Sequence, residues 1–216
     1  MDFISLEEAK KIKLDKRCCT KYVLTRDMFW KLFNFFIDNF SIVRNDEGNM
    51  LFSYNSVYFD TPDYQMNKDH IDKKLHRQKI RVREYESGEK FLEIKDKNNH
   101  ITTKKRIPVK EYSIDGEKQW ISENLMYDTR ELSKKINVSF YRMTLISKDR
   151  KVRMTLDFNL RFFNYIANKS YNFDKIILEV KHGDSQKTSV EEMLETLEIC
   201  PQGFSKYVFG LEMTSQ

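Results

Sequence analysis

The chain has 216 residues, its formal net charge is +5, and 40% of its residues are hydrophobic. This length suits one large domain, and 6 glycines with 3 prolines are too few for a loop-rich or disordered chain. The excess of lysine and arginine is consistent with an anionic partner but does not identify it. We therefore expect one globular domain over residues 1–216.

The cysteines and the apolar segments indicate the compartment. Cys18, Cys19 and Cys200 form an odd set with an adjacent pair, which is a poor basis for disulfides, and no Cys-x-x-Cys or Cys/His cluster suggests zinc. The N-terminus lacks the apolar core of a signal peptide, and no apolar run approaches the ~20 residues of a membrane span. We expect a soluble cytoplasmic protein whose chain has no membrane span.

Taken in order, the chain begins with a short helix or arm at 1–13 and a strand from Lys16 to Leu24. Thr25 is the predicted cap of a helix that runs to Phe40 and packs an aromatic stripe into the core. A strand at 50–60 precedes a short helix that begins near Pro62 and continues to residue 73. Further strands are expected at 76–85, 90–97, 101–110, 139–148, 151–157, 160–165, 175–181 and 204–210. Further helices are expected at 114–125, at 128–136, and from Thr188 or Ser189 to Glu198.

The strand at 76–85, HRQKIRVREY, has two unlike faces at a period of two. One face carries the four cations Arg77, Lys79, Arg81 and Arg83, and the other carries Ile80 and Val82. Two unit charges ~6 Å apart at an effective dielectric constant of ~20 repel each other by roughly 3 kcal/mol. For this strand alone, a solvated outer face, where salt weakens the repulsion, is an equally good interpretation.

The neighbouring strands repeat the pattern of one apolar face and one charged face. The charged faces carry Phe91, Glu93 and Lys95; Thr102, Lys104 and Arg106; Lys151, Arg153, Thr155 and Asp157; and Glu179 with Lys181. An antiparallel sheet of eight strands can close on itself. We predict an α+β fold in which a closed antiparallel eight-stranded β-barrel has its helices packed outside. Because buried unpaired charge costs several kcal/mol per ion, the lumen is expected to be wet and to hold a polyanion.

The charged residues fall in an ordered series of motifs. They are Arg17-x-x-x-Lys21-Tyr22, VYFDTPD at 57–63, Arg81-x-Arg83-x-Tyr85, Glu93-x-Lys95, Lys104-x-Arg106-x-Pro108, Tyr141-Arg142, Arg153-x-x-x-Asp157, LEVK at 178–181 and Phe204-Ser205-Lys206-Tyr207. In this order the chain resembles the VTC domain, the catalytic domain of the vacuolar transporter chaperone polyphosphate polymerase. That domain belongs to the triphosphate tunnel metalloenzymes, which also include the CYTH phosphatases and cyclases. The resemblance runs from about residue 16 to about residue 210.

The resemblance implies a set of site residues. The implied catalytic phosphate ligands are Lys21, Arg81, Arg83, Lys95, Lys104, Arg142, Arg153 and Lys206. Arg106 and Ser205 would add to substrate binding. Glu179 would bind Mn²⁺ or Mg²⁺, with Glu93 as a second candidate, although Glu179 could instead be only the ion-pair partner of an arginine. Asp157 could support the metal or orient an arginine.

The resemblance also implies the activity, which is metal-dependent transfer of the terminal phosphate of a nucleoside triphosphate such as ATP to a polyphosphate chain. Triphosphate and pyrophosphate would be related ligands. CYTH members open with Glu-x-Glu-x-Lys, whereas residues 17–21 contain no carboxylate, which favours transfer over hydrolysis. A tripolyphosphatase or nucleoside triphosphatase and a non-catalytic polyphosphate-binding domain stay open as alternatives. Nucleic acid is disfavoured because the aromatic residues fall mainly on apolar faces.

Overall fold

The computed structural model describes residues 2–12, 18–99, 101–183 and 187–215. Its strands are β1 (Asp2–Ser5), β2 (Cys18–Leu24), β3 (Phe40–Arg44), β4 (Phe52–Asp60), β5 (His76–Tyr85), β6 (Lys90–Asn98), β7 (Ile101–Val109), β8 (Ser133–Ser147), β9 (Val152–Asn164), β10 (Lys169–Phe173) and β11 (Ile176–His182). Its helices are α1 (Leu6–Lys11), α2 (Arg26–Asn39), α3 (Gln65–Ile71), α4 (Lys118–Asn124), α5 (Ser189–Thr196) and α6 (Lys206–Ser215), with a 3₁₀ turn at Asp115–Glu117. Arg17 of the first motif lies outside the described residues.

The chain divides into two compact units. The first unit comprises Met1–Phe52, Phe140–Leu160 and Phe173–Phe204. The second unit comprises Ser53–Ser139, Arg161–Asn172 and Ser205–Gln216. The expectation of a single domain over residues 1–216 stays a prediction.

In the first unit, β11 pairs antiparallel with both β2 and β9, and β1 pairs parallel with β3. The helices α2 and α5 cover the apolar face of these strands, because their apolar residues recur at helical spacing. Thr25 caps α2, as the sequence predicts, and Thr188, one of the two predicted caps, caps α5. The main core residues contributed by the helices and strands are Phe29, Leu32, Phe36, Val190, Leu194, Tyr22, Leu24, Met154, Leu156, Leu178 and Val180.

In the second unit, β4, β5, β6 and β7 pair in order as an antiparallel meander. The apolar face of the meander packs against α3 and α4, and its core contains Val57, Phe59, Met66, Ile80, Val82, Leu92, Ile94, Ile114, Ile121 and Leu125. Ile80, Val82 and Leu92 are completely buried, which stabilises the fold by about 1.5–3 kcal/mol for each side chain. The cations of β5 and β6 therefore lie on the opposite face, as the alternation predicts.

The predicted closed barrel of eight strands is wrong. The hydrogen-bonded order is β2-β11-β9-β8-β4-β5-β6-β7, with β1, β3 and β10 off this path. In the described residues β2 and β7 do not pair with each other, so the order has two ends. The α+β class holds, and the sheet is mostly antiparallel and open. A period of two predicts strands with unlike faces, but it carries no information on whether the first and last strands pair.

Several predicted elements differ from the observed ones. The expected helix at 128–136 is wrong, because β8 begins at Ser133, and the expected strand at 204–210 is helix α6. The two strands predicted at 151–157 and 160–165 are one strand, β9. Strands β1, β3 and β10 were not predicted.

The short helix after β4 begins at Gln65, three residues after Pro62. Its first amides are satisfied by the preceding strand end: Gln65 N–H donates to Thr61 Oγ1 at 2.9 Å, and Met66 N–H and Asn67 N–H each donate to a carboxylate oxygen of Asp60 at 3.0 Å. Within the part of the chain that the structure describes, there is no helix with the length and hydropathy that crossing a membrane requires.

Candidate functional site

The charged face of the second unit carries three lysines in one cross-strand row. Lys79 on β5 lies opposite Lys95 on β6, which in turn lies opposite Lys104 on β7. Directly opposed side chains on neighbouring antiparallel strands have Cβ atoms within ~5.5 Å of each other. Lys79 also donates a hydrogen bond to Ser205 Oγ at 2.6 Å. The row thus joins two predicted phosphate ligands with Lys79, which is not among the phosphate ligands that the resemblance implies.

The next row is organised by Glu93, whose side chain is 1% exposed. Arg81 donates to Glu93 Oε2 from Nε at 2.9 Å and from Nη2 at 2.6 Å. Lys104 Nζ and Tyr85 OH each donate to Glu93 Oε1 at 2.9 Å. Both oxygens of this carboxylate are therefore engaged, and the groups that engage them include two of the predicted phosphate ligands.

Burial raises the pKa of Glu93, but the positive charges of Arg81, Arg83 and Lys104 outweigh burial and hold the pKa well below its usual value. Glu93 is therefore an anion at neutral pH. One buried carboxylate faces three cations, so this part of the charged face has an excess of positive charge.

Two further arginines of this face, Arg83 and Arg106, are held by aromatic and hydroxyl groups. Arg83, which is 7% exposed, donates from Nε to Ser56 Oγ at 3.0 Å, and its guanidinium carbon lies 5.4 Å from the centroid of the Tyr54 ring. The guanidinium carbon of Arg106 lies 4.6 Å from the centroid of the Phe91 ring. Such cation–π contacts restrict the arginine without neutralising its charge.

Ser205 and Lys206 lie where α6 begins, and not on a strand as the sequence predicted. Phe209 N–H donates to the carbonyl of Ser205 at 2.9 Å, which closes the first turn of the helix. The charge of Lys206 acts on Tyr58, a buried residue of β4 that also contacts Arg81. Both residues therefore belong to the charged cluster of the second unit, although the element that carries them differs from the expected one.

In the first unit the charged face is organised by Glu179 on β11. Glu179 lies opposite Lys21 on β2, and Lys181 lies opposite Cys19. Glu179 Oε1 accepts a hydrogen bond from Cys19 Sγ at 2.8 Å and an ion-pair contact from Lys181 Nζ at 3.3 Å. Lys21 Nζ donates to the carbonyl of Phe204 at 2.7 Å.

The charge state of Glu179 follows from its surroundings. Burial raises the pKa of Glu179, but the charges of Lys181, Lys21 and Arg142 and the hydrogen bond from Cys19 together hold it well below the usual value. The same contact has the opposite effect on the thiol: burial and the charge of Glu179 raise the pKa of Cys19 to about 11. Glu179 is therefore charged, and Cys19 is a neutral hydrogen-bond donor.

The two other predicted arginines of the first unit are also held by the protein. Arg142 donates from Nε and Nη2 to the two carboxylate oxygens of Asp157, at 2.6 and 2.8 Å. Arg153 lies opposite Lys181 and donates from Nη2 to the carbonyls of Ala9 and Ile12, at 2.6 and 3.0 Å. Asp157 thus orients an arginine, which is one of the two roles that the sequence left open.

Glu179 and Glu93 are the carboxylates that the resemblance implies for Mn²⁺ or Mg²⁺. Across residues 2–12, 18–99, 101–183 and 187–215, no group of three or more His, Cys, Asp or Glu side chains is placed to hold a metal ion. Glu179 still suits such an ion, because Mg²⁺ in phosphate sites uses one or two carboxylates together with waters and substrate oxygens. Thr155 lies opposite Glu179, and its buried Oγ1 has no hydrogen-bond partner among the described residues. A hydroxyl of this kind suits a metal-bound water or a phosphate oxygen.

The structure thus brings the predicted site residues together in two groups, one in each unit. The first unit holds Lys21, Arg142, Arg153 and Glu179; the second holds Arg81, Arg83, Glu93, Lys95, Lys104, Arg106, Ser205 and Lys206. Sequence reasoning did not assign Tyr58, Tyr85 or Lys181 to the site. Lys181 shares the face of Glu179 in LEVK, so the alternation could have identified it. Tyr58 belongs to the motif VYFDTPD, whose letters do not reveal a contact with Arg81.

The chain is similar to known proteins in sequence pattern and in fold. A family model of the VTC domain matches residues 16–215. No curated protein is significantly similar to the chain. Two solved structures share the fold. The structure of HpAC1 from Hippeastrum, a putative adenylyl cyclase described as having a dominant triphosphatase activity, is 11% identical with a TM-score of 0.58, and the match covers 90% of this chain and 95% of that chain. PH1819 from Pyrococcus horikoshii OT3 is 12% identical with a TM-score of 0.52, and the match covers 92% of this chain and 99% of that chain.

At these identities the solved structures share the fold alone with this chain. The family model, by contrast, spans nearly the whole sequence, and its matched residues include every cation and carboxylate of the two charged groups described above. The resemblance drawn from the ordered motifs is therefore confirmed, and the chain belongs to the VTC domain family.

Proposed function

We propose that this chain is a polyphosphate polymerase-like phosphotransferase, which moves the terminal phosphate of a nucleoside triphosphate to a polyphosphate chain in a metal-dependent reaction. Membership of the VTC domain family supports the proposal. The single observation that carries it is the row of Lys79, Lys95 and Lys104, which lie opposite one another on three successive strands.

Three opposed lysines indicate an anionic ligand for a physical reason. Like charges directly opposite each other on neighbouring strands destabilise a sheet. An anion with several oxygens, placed across the row, turns this repulsion into attraction. A phosphate chain repeats such oxygens along its length, and lysine binds them as a point charge.

The arginines add directional binding. Arg81 and Arg83 in the second unit and Arg142 in the first present planar guanidinium groups, which suit phosphate oxygens in a two-point geometry. The further proposed phosphate ligands are Lys21, Lys95, Lys104, Arg106, Arg153, Ser205 and Lys206. Phosphoryl transfer needs alignment and charge neutralisation more than covalent help from the protein, and these residues supply both.

We assign different roles to the two carboxylates. Glu179 is the proposed ligand of Mn²⁺ or Mg²⁺, and such an ion, when bound, would neutralise charge that develops on the phosphate oxygens. Glu93 already accepts hydrogen bonds from Arg81, Lys104 and Tyr85. Its proposed role is therefore to hold those cations in position, and a metal-binding role would first require it to release them.

Hydrolysis of a triphosphate is the second candidate function, and the shared fold with HpAC1 favours it. We prefer transfer to a phosphate acceptor. The residue of β2 that lies opposite Glu179 is Lys21, and β2 carries no carboxylate that could join Glu179. Fewer carboxylates give less help in activating a water molecule.

The test is to incubate the purified protein with ATP and Mn²⁺ and to measure phosphate chains on a gel and free phosphate in solution. Phosphate chains are the expected product. Free phosphate without chains would support hydrolysis instead. Absence of both, with tight binding of polyphosphate, would support a non-catalytic binding domain.

Two lysines on β7 provide a matched pair of variants. Lys104 lies on the charged face, whereas Lys105 lies on the other face and donates to Asn124 Oδ1 at 2.8 Å. We expect Lys104→Ala to weaken polyphosphate binding by roughly tenfold or more, because one charge-assisted hydrogen bond contributes ~1.5–3 kcal/mol. Lys105→Ala should bind like the natural protein. Equal effects of the two substitutions would contradict binding at this face.

Glu179→Gln separates binding from turnover. It keeps the shape of the side chain and removes the charge that a divalent cation needs. We expect polyphosphate binding to persist and ATP turnover to be abolished. Unchanged turnover would remove Glu179 from the metal-binding role.

A further inference from the structure

Tyr58 is a buried residue of the charged face that has no role in the function proposed above. It lies on β4 directly opposite Arg81 on β5, and only 5% of its surface is exposed. Arg81 Nη1 donates to the Tyr58 hydroxyl at 2.9 Å. The other edge of the same guanidinium, Nε and Nη2, faces Glu93. Tyr58 and Glu93 therefore hold the guanidinium from two sides.

The contacts with Tyr58 and Glu93 leave Arg81 with N–H donors that can bind a ligand. A guanidinium has five N–H donors, of which these contacts use three. The positions of the other two are fixed because the plane of the group is fixed. A pre-organised guanidinium loses less conformational freedom when it binds phosphate.

The ring of Tyr58 is itself held in place from α6. It stacks on the ring of Tyr207, with 5.2 Å between centroids and 19° between planes. Tyr207 OH donates to Asp60 Oδ2 at 2.5 Å, and Asp60 is completely buried. The position of the Tyr58 hydroxyl is therefore determined by β4 and α6 together.

The charges that face Tyr58 come from two elements. Burial raises the pKa of Tyr58, but Arg81 and Arg83 on β5 and Lys206 on α6 outweigh burial and lower the pKa to about 8. The pKa of Tyr85, on the same face, is shifted in the opposite direction. Its hydroxyl donates to Glu93, and burial together with the charge of Glu93 raises the pKa of Tyr85. Of these two tyrosines, Tyr58 alone ionises just above neutral pH.

We infer that Tyr58 is a positioning residue for phosphate binding, which as a neutral phenol orients Arg81 toward the ligand and as a phenolate competes with the ligand for the same cations. The inference rests on the proposed function, since it takes Arg81 to bind phosphate.

The direction of the pH dependence follows from linkage. A bound phosphate chain adds negative charge near Tyr58 and so favours the protonated phenol. The ionisation of Tyr58 should therefore leave the affinity unchanged below its pKa and should lower the affinity as pH rises above it. For one linked proton the loss is at most tenfold per pH unit, which amounts to about tenfold between pH 7 and pH 9.

The test is to measure the Kd for tripolyphosphate across this pH interval in the natural protein and in two variants. Tyr58→Phe should lose the alkaline weakening, whereas the matched control Tyr85→Phe should keep it. An alkaline loss of the same size in Tyr58→Phe would overturn the inference while leaving phosphate binding by Arg81 intact. Absence of tripolyphosphate binding at every pH would overturn the proposed function and the inference together.

A second measurement follows the ionisation of Tyr58 directly and begins with the natural protein. The absorbance of the phenolate band should show one of the 11 tyrosines titrating near pH 8, and tripolyphosphate should move that step to higher pH. A step at unchanged pH, under conditions where tripolyphosphate is bound, would overturn the inference. The step should be absent from Tyr58→Phe and present in Tyr85→Phe.

Discussion

Arg142 and Asp157 form a two-point ion pair, in which Nε and Nη2 of the arginine each donate to a different carboxylate oxygen, at 2.6 and 2.8 Å. The side chain of Asp157 is 2% exposed and that of Arg142 is 15% exposed. Two parallel hydrogen bonds fix the plane of the guanidinium as well as its distance. The orientation of Arg142 in the first unit is therefore set by the protein before any ligand binds.

Removal of this carboxylate should strongly destabilise the fold. Asp157→Ala leaves a poorly solvated arginine without its two-point partner, and breaking a buried pair costs ~3–5 kcal/mol. Asp157→Asn keeps one acceptor and should cost less. The measurement is the free energy of unfolding in urea. An Asp157→Ala variant as stable as the natural protein would show that the pair contributes no net stability.

Tyr207→Phe should destabilise the second unit by ~1.5–3 kcal/mol, because it removes a hydrogen bond to the charged Asp60 and keeps the ring. Burial, followed by the charge of Asp60, raises the pKa of Tyr207, so the hydroxyl remains a donor throughout the neutral range. Thermal unfolding measures the loss. Tyr141→Phe, at a position 48% exposed, is the control and should change stability by less than ~0.5 kcal/mol.

Gly210 on α6 should not tolerate a larger side chain. A Cβ atom there would lie 2.5 Å from Ile136 Cδ1 and 2.5 Å from Phe162 Cδ1. Gly210→Ala is therefore expected to cost ~1–3 kcal/mol through overpacking. Gly116→Ala has open space around the new methyl group and should be close to neutral. Equal stability of the two variants in urea would contradict the packing described for α6.

The stabilising effect of Glu93 should depend on pH. Its pKa in the folded protein is lower than in the unfolded chain, so its contribution is fully present above about pH 5 and is lost as pH falls through the native pKa. Glu93→Gln does not titrate. The difference in unfolding free energy between the natural protein and Glu93→Gln should therefore be larger near pH 7 than near pH 3. An equal difference at both pH values would contradict the ion-pair role of Glu93.

The sequence predicts the charged strands well because their two faces differ strongly. The strand 76–85 is observed with the predicted bounds, and Arg81, Arg83, Glu93 and Lys95 lie on the predicted face. A strand with one apolar face and one charged face is recognised from the alternation of residue types, and the sequence shows that alternation directly.

Two predicted elements are wrong because the short segments that suggested them belong to longer periodic patterns. Segment 204–210 is aromatic and resembles a strand, but α6 continues to Ser215 and buries Tyr207, Gly210, Leu211 and Thr214 at helical spacing. At the start of β8, the polar residues near Ser133 obscured a strand, although Ile136, Val138 and Phe140 are buried at a period of two. In both cases the periodic pattern continues past the predicted boundary, and its full length decides between helix and strand.

The contacts between side chains of the site could not be predicted from the sequence. That Glu93 accepts from Arg81, Lys104 and Tyr85 depends on the register of three strands, and the register depends on turn geometry. The contact between Tyr58 and Arg81 likewise needs β4 and β5 to be aligned. Residue types predicted the chemistry of the face, whereas alignment between strands decided which groups touch.

The turn that joins β5 to β6 therefore fixes the register of these two strands, and a change in its length would alter the charged face. It is closed by a hydrogen bond from Gly88 N–H to the carbonyl of Tyr85 at 2.8 Å, and Gly88 has a φ of +80°, which glycine adopts without strain. Inserting or deleting one codon there would shift the pairing by one residue and exchange the two faces of a strand. Leu92 and Ile94 of β6 would then face away from the apolar core, and Glu93 and Lys95 would face it. The length of this turn therefore decides which side chains of β6 reach the charged face, although residues 86–89 do not belong to the site.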